Sequence, residues 1–214
     1  MDTTIKILIA DDHAIVREGL KQIVAEESDM VVSGEAANVN ELFELLAKEK
    51  WTIVVLDINM PGKSGLEALK DMKVRYPKIP VLILSMFSEE QYGIRALKAG
   101  ASGYLKKVSA PTELVKAIKT IVSGRKYINQ SLAEKLAEIV EENKKKIPHE
   151  NLSDREYQIM CLIALGKTAE EIGGELSISV HTVYSYRNRI FEKMNLKSNV
   201  ELTQYAIQNK LIEL

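Results

Sequence analysis

A chain of 214 residues, 46% hydrophobic and 28% charged, has an ordinary globular composition and the length for one or two domains with real cores. Its formal net charge of −1 excludes a global basic field, so any nucleic-acid function must rest on a local patch. No long apolar run or signal-peptide pattern is present, which predicts a cytoplasmic protein with no membrane partner.

Ile5–Ala10 is predicted as the first strand and ends in Asp11-Asp12-His13. Val16, Leu20, Ile23 and Val24 then fall on one face of a helix. Met30 to Ala36 reads as a second strand and Glu41 to Glu49 as a helix. Thr52 to Leu56 is a continuous apolar and β-branched run, the pattern of a strand buried on both faces in a parallel sheet. It stops at Asp57, and Pro61-Gly62 turns the chain beyond it. A helix from Ser64 to Arg75 follows, then a strand from Pro80 to Leu84 closing on Ser85, and a helix from Glu89 to Lys98. Ala101 to Leu105 is a short fifth strand ending in Lys106-Lys107, and Pro111 opens a helix with a stripe of Leu114, Ile118, Ile121 and Val122. Strands alternating with helices predict an α/β, doubly wound, five-stranded parallel sheet over residues 1–124.

Residues 125–150 read as a linker with a helix (Leu132, Leu136, Ile139, Val140), a charged run and Pro148, with His149 given no role. Residues 151–214 read as a small all-α domain. Three capping boxes, Ser153…Glu156, Thr168…Glu171 and Ser198…Glu201, each start a short helix. A fourth helix starts near Ser179, only Ser177-Ile178 after its predecessor, a helix-turn-helix spacing. The lone cysteine, Cys161, reads as a small buried hydrophobe.

The polar residues of the first domain gather at carboxyl ends of strands, where open α/β sheets bind ligands. Asp11, Asp12 and Asp57 converge if strands one and three are neighbours. Three such carboxylates repel unless a cation neutralises them, and oxygen ligands favour Mg2+, with the backbone carbonyl of Asn59 a natural further donor. Lys107 and Ser85 add an ammonium and a hydroxyl, a combination suited to a phosphoryl group. Taken singly, Asp11-Asp12 also fits a helix N-cap, Tyr104 a core aromatic, and His13 an exposed imidazole beside the acids.

Asp11-Asp12, Asp57-Ile58-Asn59-Met60-Pro61-Gly62, Ser85 and Gly103-Tyr104-Leu105-Lys106-Lys107 closely resemble the receiver domain of two-component response regulators. The resemblance implies a flavodoxin-like fold and phosphorylation of Asp57 by a histidine kinase, with Mg2+ on Asp11 and Asp12. It further implies Lys107 as the phosphoryl-contacting lysine, and Ser85 and Tyr104 as the switch pair. Val108 departs mildly from the family, which often has an acid or proline there.

On the fourth helix of the second domain Val183, Tyr186, Ile190 and Met194 share one face. His181, Ser185, Asn188 and Glu192 face away, flanked by Tyr184 and Arg189, a short polar surface suited to the major groove of double-stranded DNA. Thr182 lies at the start of this helix. Arg189, Lys193 and Lys197 are placed to reach phosphates, with Lys167 and Thr168 of the preceding helix. Arg187 falls at the buried edge and suits either an internal ion pair or DNA. The pattern from Leu152 to Met194 resembles the LuxR-type helix-turn-helix, and the two resemblances together identify the chain as a member of the NarL/FixJ family of response regulators. That implies homodimers on activation, with a contact on the last helix (Val200, Leu202, Ala206) that equally suits closure of the small core. Tyr184 and Tyr186 stand where many members have lysine and histidine, which takes a positive charge from the groove face.

Two other readings remain open. A Mg2+-dependent phosphohydrolase would use Asp57 as nucleophile, but would want an acid two residues on, where this chain has Asn59. A receiver whose output module binds protein or RNA is the other. On the family resemblance the chain is no enzyme beyond assisting its own phosphorylation and dephosphorylation.

Overall fold

The computed structural model describes residues 4–87, 89–141 and 148–212, without the side chains of residues 90, 91, 135 and 138–141. The middle of the expected charged linker, residues 142–147, and the side chains of Ile139 and Val140 therefore lie outside the described residues.

The first part of the chain alternates β1 (Ile5–Ala10), α1 (Ala14–Ala25), β2 (Met30–Ala36), α2 (Val39–Lys48), β3 (Ile53–Asp57), α3 (Gly65–Arg75), β4 (Val81–Ser85), α4 (Glu89–Lys98), β5 (Gly103–Lys106) and α5 (Ala110–Val122). The five strands form one parallel sheet in the order β2-β1-β3-β4-β5. The chain steps one way from β1 to β2 and the other way from β3 onward. Right-handed crossovers therefore put α1 on one face and α2 to α4 on the other, and they leave a crevice between the carboxyl ends of β1 and β3. α1 and α5 share a core with Ile7, Ile9, Val55, Leu82 and Leu84. β3 and β4 are buried along their whole length, as their unbroken apolar runs required, whereas edge strand β2 alternates buried and exposed residues.

The loop after β3 depends on a close approach of backbone. The amide of Gly65 donates to the carbonyl of Ile58 at 2.8 Å, and a Cβ on Gly65 would lie 2.0 Å from the carbonyl oxygen of Asp57. Ser64 and Glu67 cap α3 reciprocally, a box beyond the three expected, and Asn38 caps α2, which begins at Val39, two residues before its expected start.

Residues 125–133, expected in the linker, pack instead on the sheet. Tyr127 bridges to Gly103 beside β5, its hydroxyl donates to Glu113 of α5 at 3.0 Å, and buried Leu132 meets Gly93 of α4. This covers an edge strand only four residues long, a protection that sheet edges need. The chain accordingly divides into compact units Met1–Ala133 and Glu134–Leu214, with α6 (Gln130–Glu141) crossing the division.

The second unit holds α7 (Asp154–Ala164), α8 (Ala169–Leu176), α9 (Val180–Met194) and α10 (Asn199–Gln208). Ser153…Glu156 and Thr168…Glu171 are complete capping boxes. The third is not: Ser198 accepts the Glu201 amide, but the Glu201 carboxylate takes the amide of Lys197, one residue further out. The turn between α8 and α9 puts Ser177 at φ 51°, and Gly173 leaves room for the carbonyl of Ile178. Buried Arg155 of α7 ties this turn down, donating to the Leu176 carbonyl at 3.0 Å and to Gln158 at 2.8 Å. His149, in a 3-10 turn at Pro148–Asn151, is docked on this unit rather than idle, with Nδ1 2.8 Å from the hydroxyl of Tyr205. Cys161 is buried, as expected.

The Gly65 contact yields a direct test. Gly65→Ala is expected to cost about 1–3 kcal/mol or more of stability, since backbone rather than a flexible side chain blocks the added methyl. Urea unfolding followed by circular dichroism measures it, and an unchanged midpoint would contradict the assignment.

Candidate functional site

Three strand ends build an acidic pocket. β1 delivers Asp11 and β3 delivers Asp57, each 1% exposed, and the chain leaving β5 delivers Lys107. Lys107 Nζ hydrogen-bonds Asp57 Oδ2 at 2.7 Å and forms an ion pair of the same length with Asp11 Oδ2. Each carboxylate uses its other oxygen to order its own loop: Asp11 Oδ1 accepts the His13 amide at 2.9 Å, and Asp57 Oδ1 accepts the Asn59 amide at 3.1 Å.

The electrostatics follow from this crowding. Burial pushes the Asp57 carboxyl up to about 6; the Lys107 ammonium opposes the rise and the Asp11 carboxylate adds to it. Burial alone would lower Lys107, but Asp57 and Asp11 outweigh it and raise it above its ordinary value.

A divalent cation fits what remains. Carboxylate oxygens of Asp11, Asp12 and Asp57 and a nitrogen of His13 lie within 4.8 Å of one another. Asp11 Oδ2 and Asp12 Oδ1 are buried atoms without a hydrogen bond, their neighbours being the cationic Nζ of Lys107 and the imidazole of His13, 2.7 Å from Asp12. An all-oxygen donor set with surplus negative charge suits Mg2+. His13 itself is 61% exposed, as expected of a bystander imidazole.

The expected switch residues converge on a third. Ser85, at the end of β4, accepts the amide of Phe87 at 3.2 Å, and the hydroxyl of fully buried Tyr104 donates to the carbonyl of the same Phe87 at 3.0 Å. Phe87 stacks on Tyr92 with ring centroids 4.8 Å apart. Nothing in the sequence pattern singled out Phe87, because its role is carried by backbone atoms.

On the second unit, His181, Asn188, Arg189 and Tyr184 are exposed on α9, and Val183, Ile190 and Met194 are buried, in agreement with the expected faces. Thr182 and Ser185 are half-buried, Thr182 bonded to the Ser179 cap and Ser185 to the His181 carbonyl. Three of the expected phosphate contacts are engaged within the unit: Lys193 pairs with Glu156 at 2.6 Å, Lys167 pairs with Glu175, and the Thr168 hydroxyl caps α8. Lys197 is exposed. Arg187 makes no ion pair among the described residues. Its guanidinium lies over the rings of Tyr184 and Phe191, at 5.3 and 5.4 Å. Of the expected dimer contact only Val200 is exposed. Leu202 and Ala206 are completely buried and close the small core, while Ile207 joins Val200 outside.

Residues 7–119 match the family model of the response regulator receiver domain, and residues 150–206 match that of bacterial regulatory proteins of the luxR family. The chain is 37% identical over 216 residues to the oxygen regulatory protein NreC of Staphylococcus epidermidis, covering 97% of this chain and 99% of that one. It is 36% identical over 208 residues to the response regulator UvrY of Escherichia coli K12, covering 97% and 95%. A solved structure of RcsB from Salmonella enterica serovar Typhimurium, bound to promoter P1flhDC in the presence of phosphomimetic BeF3-, matches with a TM-score of 0.60 at 26% identity. That match covers 94% of this chain and 97% of the RcsB chain. No helix among the described residues is long and apolar enough to cross a membrane.

Because the folded carboxyl of Asp57 titrates at about 6 against 3.8 unperturbed, the folded state holds its proton longer than the unfolded state does. Stability therefore falls as pH rises between those values. In metal-free buffer Asp57→Asn is expected to be more stable than wild type at pH 7, by up to about 3 kcal/mol, with the gap closing below about pH 4. Chemical denaturation across that range measures it, and a gap independent of pH would overturn the assignment of the strain to Asp57.

Proposed function

The chain belongs to the NarL/FixJ family of two-component response regulators, which join a receiver to a LuxR-type DNA-binding domain, and from that membership we propose that Asp57 takes a phosphoryl group from a histidine kinase and thereby controls DNA reading by α9. The protein is a transcriptional regulator rather than an enzyme in the general sense. The observation that carries the residue assignment is the bridge of Lys107 Nζ, 2.7 Å from both Asp57 and Asp11, in a pocket that holds a third carboxylate, Asp12.

In the transfer, a carboxylate oxygen of Asp57 attacks phosphorus. The N–P bond of the kinase phosphohistidine breaks, and the imidazole keeps the electron pair and picks up a proton. The product is an aspartyl phosphate. Lys107 leaves its shared position between two carboxylates and neutralises a phosphoryl oxygen. Mg2+ held by Asp11, Asp12, Asp57 and the Asn59 carbonyl would neutralise the others. The Ser85 hydroxyl turns from the Phe87 amide to the phosphoryl group, and Tyr104, bonded to the Phe87 carbonyl, repositions with that segment.

Supporting the output half, α9 follows a tight turn and presents His181, Tyr184, Ser185, Asn188 and Arg189 outward, with Thr182 at its first turn. Lys197 and the releasable Lys167 and Lys193 stand near for phosphates, beside the capping Thr168. We assign the homodimer contact to Val200 and Ile207, the exposed apolar residues of α10, so that two copies read two half-sites.

Binding to a pool of genomic duplex fragments, with and without acetyl phosphate and Mg2+, tests this. The donor is expected to tighten selective binding of wild type by about 5- to 150-fold, the span of ordinary coupling free energies, and to do nothing for Asp57→Ala. Selective binding that ignores Asp57 would keep the DNA reader and reject the phosphoryl switch. Absence of duplex binding in both states would reject the DNA assignments.

A further inference from the structure

The receiver has a second cleft at the opposite end of its sheet from Asp57. It is formed at the amino ends of three strands, by Thr52 before β3, Pro80 before β4 and Ser102 before β5, together with the end of α5, and its volume is about 430 Å³. Small-molecule pockets have volumes of this order.

Its charge is one-sided. Lys73, Lys78, Arg125 and Lys126 line it, and no lining residue among those described is acidic, in a chain with 29 basic and 30 acidic residues. Elsewhere on the same unit Lys21, Lys63 and Lys119 each have a carboxylate partner. Lys73 and Lys126 are fixed by backbone oxygens instead. Lys73 Nζ donates to the Ile79 carbonyl at 2.6 Å, and Lys126 Nζ donates to the Ala101 carbonyl at 2.9 Å. Carbonyls orient an ammonium without neutralising it. Burial, and then the charge of Lys126, hold Lys73 below the ordinary lysine value, a cost that a bound anion would relieve. Two hydroxyls complete the lining. Thr52 Oγ1 accepts the Lys6 amide at 3.1 Å and Ser102 Oγ accepts the Val81 amide at 3.3 Å, so each keeps its own proton to donate. Pro77, Pro80 and Val122 supply apolar surface beside the charges.

We propose that this cleft binds a small organic phosphate of nucleotide size, its phosphate on the Lys73–Lys126 side and its apolar portion against the prolines. The chemistry matches group by group: dianionic oxygens for fixed ammonium groups and hydroxyl donors, and a flat apolar body for the proline surface. The inference is independent of the role of Asp57, since the two sites lie at opposite ends of the strands.

The test titrates AMP and adenosine into the full-length, isotope-labelled protein and follows backbone amide shifts. AMP is expected to shift the amides of Ser102, Gly124 and Lys126 and to saturate below about 1 mM, with adenosine at least about tenfold weaker. Lys78→Glu with Arg125→Glu, both exposed side chains, is expected to weaken AMP by at least about tenfold while thermal stability stays unchanged. Asp57→Ala is expected to leave the affinity untouched. The proposal is overturned by an absence of shifts, by shifts confined to residues 180–197 or to the Asp57 pocket, by equal binding of adenosine, or by indifference to the charge reversal.

Discussion

The receiver depends on one ammonium between two carboxylates. Asp11 and Asp57 are both buried to 1% exposure, a position in which unpaired negative charge is costly. Lys107 neutralises them only in part, because Asp12 adds a third carboxylate at the same mouth. The pocket therefore retains surplus negative charge, which favours a cation. Sheet topology makes this possible. The order β2-β1-β3-β4-β5 puts the ends of β1 and β3 side by side, and the chain leaving β5 brings in the lysine.

The backbone of Phe87 joins the Ser85 and Tyr104 side chains at the rim of the pocket. Phe87 gives its amide proton to Ser85 and its carbonyl to Tyr104. In the proposed switch Ser85 donates its hydroxyl proton to a new acceptor on Asp57, and movement of its oxygen away from the Phe87 amide costs one bond of about 1 kcal/mol in the segment that also anchors Tyr104. Such energies are small, yet two states separated by a few kcal/mol respond strongly to them.

The parts of this protein legible in its sequence are those with a period or a punctuated end. β3 and β4 showed because burial on both faces forces unbroken apolar runs, and Asp57, Ser85, Asp11 and Lys107 showed because each ends such a run. What stayed hidden lies in contacts between residues distant in sequence. Tyr127 reads as a linker residue until β5 is seen to need an edge partner, and His149 has no meaning without Tyr205, 56 positions on. The Ser198 box failed for a local reason: the Glu201 carboxylate had two amides in reach and took the outer one. Leu202 and Ala206 show the same limit in a helix, where an apolar stripe marks a contact face without saying whether the partner is another copy or the domain's own core.

Charge on the DNA-reading unit follows from the same bookkeeping of partners. Lys167 and Lys193 are engaged by Glu175 and Glu156, and Tyr184 puts an aromatic ring rather than a charge on the exposed face of α9. An exposed pair such as Lys167–Glu175 is worth only about 0.2–1 kcal/mol, so it holds the lysine in place without holding it back from a phosphate. Lys193 is the stiffer of the two, because its partner Glu156 is buried and also caps α7. Tyr184 acts on its neighbour: with Phe191 it holds the half-buried guanidinium of Arg187 by cation–π contact, 5.3 and 5.4 Å from the two rings, beside the polar face of α9.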